Sequence, residues 1–441
     1  MANKGRWSPV AGLAIFLTAC ATYTPNAALQ HYDKSYGYRF SKFAATGNED
    51  ETFLILAFSG GGTRAAALAY GVLQELAKTN IKSGTLLDEV DVISSVSGGS
   101  FTAAAYALAR KMPLDRFERD FLRHDVQGDL VHAALNPRNW LRLLSRRFSR
   151  IDLATEYYDE HVFARKTFAD LPTRRPYIIL NATEMDLGAR FEFTQEQFDP
   201  ICSDLERMKI ARAVAASSAF PVLLTAVTLR NYKGCSYEEP QWVANAMEDQ
   251  FVNPTRFRTA MELRAYADPQ RRFLQLIDGG VADNIGLRGP IRALSSNDPG
   301  FSVLRLMNRG KVKRVAVIVV NAEKEGGITL DQNEQPPNLA ETLSTIANTP
   351  MANYSFDTVE LLRTDIENWN KDAAIAPDLR PVAFYRTHVT FASLPANERK
   401  FFDSLPTSFS LTNGQIDALL KVGARLLHES ADFEKLIRDL Q

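Results

Sequence analysis

Two stretches decide the fold: "ETFLILAFSGGGTRAAALAYGVLQELAK" (Glu51–Lys78) and "EVDVISSVSGGSFTAAAYALARK" (Glu89–Lys111). Each begins with an apolar run of strand length, turns on glycines and continues with apolar residues at helical spacing. Two strand, glycine turn, helix units in succession predict a parallel sheet with right-handed crossovers. Further apolar runs predict strands at "PYIILNAT" (Pro176–Thr183), "RFLQLIDGG" (Arg272–Gly280), "VKRVAVIVVNA" (Val312–Ala322) and "PVAFYRTHVTFA" (Pro381–Ala392). Helical spacing predicts helices over Met208–Phe220, Leu339–Thr349 and Gly414–Leu440.

Strands spread along the chain, with no clear linker between them, predict one α/β domain with insertions. The longest insertion covers residues 231 to 271, a length that in compact domains often carries function. Of 441 residues, 45% are apolar and 23% charged, which predicts a sizeable core and excludes general disorder. The net charge of -1 gives no global reason to expect nucleic acid. No CxxC, HxH or HExxH is present, so neither a metal nor a cofactor is expected.

The N-terminus reads as an export address. Lys4 and Arg6 precede an apolar run, Val10–Leu17, that is too short to span a bilayer as a helix. "LTAC" (Leu17–Cys20) then resembles the bacterial lipobox, which implies cleavage before Cys20 and acylation of that residue. The reading is a signal peptide over 1–19 and a lipid-anchored tether over 20–50. Multiple acyl chains would hold the protein to a membrane. Ala21 follows the cysteine where an aspartate would retain the protein at the inner membrane, so the expected location is the outer membrane of the cell envelope. An oxidising compartment would let Cys202 and Cys235 pair, two free thiols being the alternative.

The two glycine turns carry the chemistry. "GGGTRA" (Gly60–Ala65) also fits a dinucleotide fingerprint, but the required acidic residue should end the second strand, whereas Asp88 and Asp91 stand at its start. Bare glycine amides at a helix N-terminus instead suit an oxyanion, with Arg64 adding a positive charge. "SVSGG" (Ser95–Gly99) is a near match to the G-x-S-x-G nucleophile elbow, with Ser97 at its centre, the Gly98 amide beside it and Ser95 in place of the first glycine. Its base is the missing part. His388 and His428 are the late histidines, and each sits in an ordinary strand or helix pattern. Asp278, at a strand end before two glycines, is better placed to bind the Ser97 hydroxyl and act as general base.

Together these segments resemble the patatin-like phospholipase family: a glycine-rich oxyanion loop with a basic residue, then G-x-S-x-G, then D-G-G. "NATEMDLGARFEF" (Asn181–Phe193) and "AVAASSAFPVLLTAV" (Ala213–Val227) also look like family segments. The resemblance implies a three-layer α/β fold, with a mostly parallel central sheet and helices on both faces. It assigns Ser97 and Asp278 to a catalytic dyad, and Gly60, Gly61, Gly62, Arg64 and Gly98 to the oxyanion region. The implied activity is hydrolysis of glycerolipid esters at a membrane. The expected division is a catalytic domain over 51–322 and an α/β extension over 323–441 packed on it. The competing class is a catalytically inactive, outer-membrane scaffold that binds lipid or protein.

One stretch lies outside that pattern. "NPRNWLRLLSRRFSRID" (Asn136–Asp152) predicts a helix with Arg138, Arg142, Arg146 and Arg150 on one face and Trp140, Leu144 and Phe148 on the other. Such a helix either lies on an anionic membrane or docks its apolar face on the domain.

Overall fold

The computed structural model describes residues 25–43, 50–145, 147–221, 223–295, 312–324 and 381–441, with isolated residues between 358 and 374. Cys20, the predicted signal peptide and the helix predicted over Leu339–Thr349 lie outside the described residues. Eight strands form the central sheet: β1 (Thr52–Phe58), β2 (Val90–Val96), β3 (Tyr177–Glu184), β4 (Ala189–Glu192), β5 (Val227–Arg230), β6 (Phe273–Asp278), β7 (Arg314–Asn321) and β8 (Ala383–Thr390). Their order is β8-β7-β1-β2-β3-β6-β5, and β4 folds back on the second half of β3. β8, β7, β1, β2 and β3 run parallel to their neighbours. β6 runs antiparallel to both β3 and β5.

Every residue of β1 and β2 is buried, as expected of inner parallel strands covered on both faces. Helix α1 (Gly62–Leu76) follows β1, and α2 (Gly98–Ala109) follows β2. α1 is buried almost all round, because a C-terminal helix, Asn413–His428, covers the side away from the sheet. The contact is close enough that a Cβ on Gly71 would stand 2.5 Å from the Leu420 carbonyl oxygen. Thus the C-terminal region supplies both a strand and the covering of α1.

The helical elements between α2 and β3 include α3 (Val126–Leu135), α4 (Pro137–Leu143) and α5 (Arg150–Tyr157). The single helix expected over 136–152 is therefore two, with a break between Leu143 and Arg150. Asn136 caps α4 by accepting from the Arg138 amide, and Ser149 with Asp152 forms a capping box that starts α5. α6 (Ile210–Ser217) packs on β3 and β6 behind the site. The expected Gly414–Leu440 helix is likewise interrupted, since Ser430 caps a separate final helix, Ala431–Leu440. The 231–271 insertion folds as two helices, Gln241–Ala246 and Pro254–Ala267, over a small apolar cluster of Val243, Ala246 and Ala260.

Residues 25–43 form a strap tied to the domain. Ala27–Ala28 pairs with Ser203–Asp204, Tyr38 stacks on Tyr177, and Arg39 bonds Asp199 at 2.6 Å. Cys202 and Cys235 form a disulfide with Cα atoms 5.6 Å apart, and the amides of Leu29 and Tyr32 donate to the carbonyls of Cys202 and Cys235. By loop entropy alone such a closure stabilises by about 3–4 kcal/mol.

Candidate active site

β2 ends at Val96 and α2 begins at Gly98, leaving Ser97 alone to turn the chain. Its backbone takes φ 49° and ψ -118°, a conformation that costs an L-residue roughly 1–3 kcal/mol and persists only when neighbours enforce it. They do so here. The Ser97 amide donates to Ser217 Oγ at 2.9 Å, and Ser217 Oγ in turn donates to the Asn181 carbonyl at 2.6 Å. Ser100 Oγ lies 2.9 Å from Ser217 Oγ and 3.1 Å from Ser95 Oγ, and its one proton serves either. Ser95, the departure from the glycine pattern, thus has its hydroxyl absorbed into a buried network, and the elbow geometry survives.

Glycine is required where the turns touch. A Cβ on Gly98 would lie 2.0 Å from the Gly62 carbonyl oxygen, which brings the turn after β2 against the turn after β1. A Cβ on Gly279 would lie 2.3 Å from the Asn181 carbonyl oxygen, so β6 can end only this close to β3 without a side chain there.

The antiparallel course of β6 delivers Asp278 to the same point. Asp278 pairs with Ala182 on β3, next to Asn181, which pairs with Val96. Ser97 Oγ donates to Asp278 Oδ2 at 2.8 Å, while Asp278 Oδ1 accepts from the Gly280 amide at 2.8 Å. Both side chains are buried, with Ser97 7% and Asp278 3% exposed. Burial pushes the Asp278 carboxyl up to about 6, and the bonds from Gly280 and Ser97 only partly offset that rise. A carboxylate in that range takes and returns protons near neutral pH.

The predicted oxyanion residues divide. The Gly60 amide is committed to the Asn284 carbonyl at 3.0 Å. Among the described residues, no hydrogen bond uses the amides of Gly61, Gly62 or Gly98, and the Gly62 and Gly98 backbones touch next to Ser97, so these amides are donors still available to an anionic oxygen. Arg64 turns away from it: Nε donates to the Ala322 carbonyl at 2.9 Å, Nη1 to Leu405 at 2.8 Å and Nη2 to Thr407 Oγ1 at 3.3 Å. Burial lowers its guanidinium to about 10. Arg64 therefore braces the turn from behind, joining α1 to the end of β7 and to the 405–407 segment.

Histidine takes no part. His388 lies on β8, three strands from β2, and burial pushes it down to about 4. His428 sits between Glu75 and Glu434 at 2.9 and 2.7 Å. Three groups that hold the site had no individual signal in sequence: Ser217, Asn181 and Asn284. Ser217 is hidden in the helical period of "ARAVAASS". Asn181 donates through Nδ2 to Ser94 Oγ and the Ser95 carbonyl, fixing the last residues of β2.

The patatin-like phospholipase family model matches residues 56–291, more than half of the chain, and includes Ser97, Asp278 and the glycine turns. The chain belongs to the patatin-like phospholipase family. Its patatin-like segment begins in β1 and ends beyond the turn that follows Asp278. Among solved structures, human GIVD cytosolic phospholipase A2 is similar at 12% identity and a TM-score of 0.44, over 89% of this chain and 60% of that one. The same human protein in complex with methyl gamma-linolenyl fluorophosphonate gives 12% identity and 0.41, over 89% and 59%. VipD from Legionella pneumophila gives 11% and 0.34, over 95% and 71%. The patatin-like chain thus spans about 60% of the length of the human structures. No curated protein matches it by sequence.

Proposed function

We propose that this chain is a serine acyl hydrolase that cleaves carboxylic ester bonds of glycerolipids through a Ser97–Asp278 dyad. The single observation that carries the reading is the 2.8 Å bond from Ser97 Oγ to Asp278 Oδ2, made at a strained turn beside unbonded glycine amides. Ser97 Oγ attacks the ester carbonyl carbon while Asp278 takes the hydroxyl proton. The carbonyl oxygen becomes an oxyanion held by the amides of Gly61, Gly62 and Gly98. The bond to the alcohol then breaks, Asp278 returns its proton to the departing oxygen, and the acyl group remains on Ser97. Water attacks that ester, again giving a proton to Asp278; the fatty acid leaves, and Ser97 recovers its proton.

The test is hydrolysis of a water-soluble, monomeric ester by the purified chain and by Ser97→Ala. The variant is expected to fold normally and to lose about 10⁴-fold or more in kcat/KM. Retained turnover would remove Ser97 from the mechanism.

We further propose that acylated Cys20 anchors the chain in a bacterial outer membrane, a reading that rests on the "LTAC" sequence and agrees with a disulfide formed outside the reducing cytosol. Metabolic labelling with a palmitate analogue should mark the parent chain and not Cys20→Ala; equal labelling would exclude that anchor.

A further inference from the structure

The α3–α4 hairpin leaves an unusual set of side chains in water. On α3, Val131 and Leu135, one turn apart, are 51% and 61% exposed. On and just after α4, Trp140, Leu141 and Leu144 are 53%, 54% and 80% exposed. Helix α4 buries no residue at all and carries no acidic one. Of the expected apolar face only Phe148 docks on the domain, under the Arg142 guanidinium 4.0 Å from its ring centre. Arg142 itself pairs with Glu156, whereas Arg138, Arg147 and Arg150 are exposed and have no carboxylate partner among the described residues. The nearby Asp129 is already engaged by His124 and Tyr157.

This surface is linked to the Ser97 site by two chains of hydrogen bonds. Behind α4, Thr225 Oγ1 donates to Ser149 Oγ at 2.8 Å; the segment it ends begins at Ala219, whose carbonyl accepts the Asp278 amide. At the start of α3, the Gln127 amide donates to the Phe409 carbonyl, while the neighbouring Ser408 carbonyl accepts the Thr63 amide behind the oxyanion turn. A cleft of about 520 Å3 runs between these elements, lined by Val131 and His132 of α3 and by Pro406, Ser408 and Ser410.

We propose that the α3–α4 face is a docking surface for an anionic lipid bilayer. The occupant follows from the chemistry: large aliphatic groups and a tryptophan suit the boundary between headgroups and acyl chains, and the exposed guanidinium groups of Arg138, of Arg147 just after α4 and of Arg150 at the start of α5, without a carboxylate partner among the described residues, complement lipid phosphates. The proposal rests on the hydrolase reading, in which the docked surface brings the chain to its lipid substrate.

The test is partitioning onto sedimented vesicles of pure phosphatidylcholine or of phosphatidylcholine with phosphatidylglycerol. The full chain carries Cys20→Ser throughout, so that acylation contributes to neither arm. The expected result is stronger partitioning onto the anionic vesicles. Leu141→Ser with Leu144→Ser should weaken binding to both by at least about tenfold, as two buried aliphatic side chains are lost. Arg138→Gln with Arg147→Gln and Arg150→Gln should reduce the anionic preference by about 100-fold. Partitioning that neither set of substitutions changes would overturn the proposal. So would a concentration-dependent dimer, seen by sedimentation, that the leucine substitutions dissociate. Turnover of a soluble ester by the parent chain separates the two readings. With turnover present and partitioning unaffected, docking fails and the hydrolase stands; with turnover absent and partitioning reduced, the reverse holds.

Discussion

The buried Ser97 site and the exposed α3–α4 hairpin both work against folding, in opposite ways. At that site a carboxyl group is buried and a serine is held at positive φ, while both make hydrogen bonds to each other and to neighbouring groups. Its unfavourable terms are internal, and neighbouring residues enforce them. On the hairpin, large apolar side chains stay in water with nothing in the described chain covering them. The contrast separates two kinds of functional residue: strain held rigidly for chemistry, and exposure left for a surface outside the chain.

The sharpest way to break the comparison is Asp278→Asn. Turnover should fall by about 10³-fold or more, since asparagine cannot take the Ser97 proton. Stability should rise at neutral pH, by on the order of 2–3 kcal/mol, because the folded carboxyl has been lifted from 3.8 to about 6. The sign follows from linkage: a carboxyl with a raised folded value favours the fold below pH 4 and loses that contribution as pH rises through 6. Thermal unfolding at pH 7.5 and pH 4 checks it, with the gain shrinking at the lower pH. Unchanged or reduced stability at neutral pH would mean that Asp278 is not under such a penalty.

Gly98→Ala should act next most strongly. Its methyl group would meet the Gly62 carbonyl and push the two turns apart. A loss of about 10²-fold in kcat follows from a displaced oxyanion donor, with roughly 1–3 kcal/mol of destabilisation from overpacking. A smaller and graded effect is the pH dependence of the parent chain. kcat/KM should fall about tenfold per unit below pH 6 as Asp278 takes up its proton, and level off above it. The smallest effect belongs to the other region: Leu144→Ser should move the unfolding free energy by about 0.5 kcal/mol or less, as at an ordinary surface site. A large loss would show that Leu144 is packed in solution.

Much of this was legible because inner parallel strands and glycine turns write themselves in local sequence. "TFLILAF" and "VDVISSV" could be read as buried strands, and Ser97 and Asp278 stood out by their positions at strand ends. Strand direction was not legible: the run before Asp278 looks the same whichever way it pairs, and its antiparallel course is set by the pairing with β3 and β5. β4 and β5 have four residues each, too few for a clear period. The stretch Asn136–Asp152 reads as one helix because its arginine and apolar spacing continues through the break between α4 and α5 that Ser149 and Asp152 create. Arg64 shows the limit most plainly, since its acceptors at Ala322 and Leu405 lie 258 and 341 residues away. No local pattern could distinguish an oxyanion ligand from a brace.

The claim that Ser97 is activated by Asp278 is tested most directly by the rate of covalent labelling with an alkyl fluorophosphonate, mapped by peptide mass spectrometry. The account predicts one labelled peptide containing Ser97, no label in Ser97→Ala, and labelling of Asp278→Asn slowed by about 10³-fold at pH 7.5. Labelling of Asp278→Asn at the parent rate, or a label on any other serine, would contradict it.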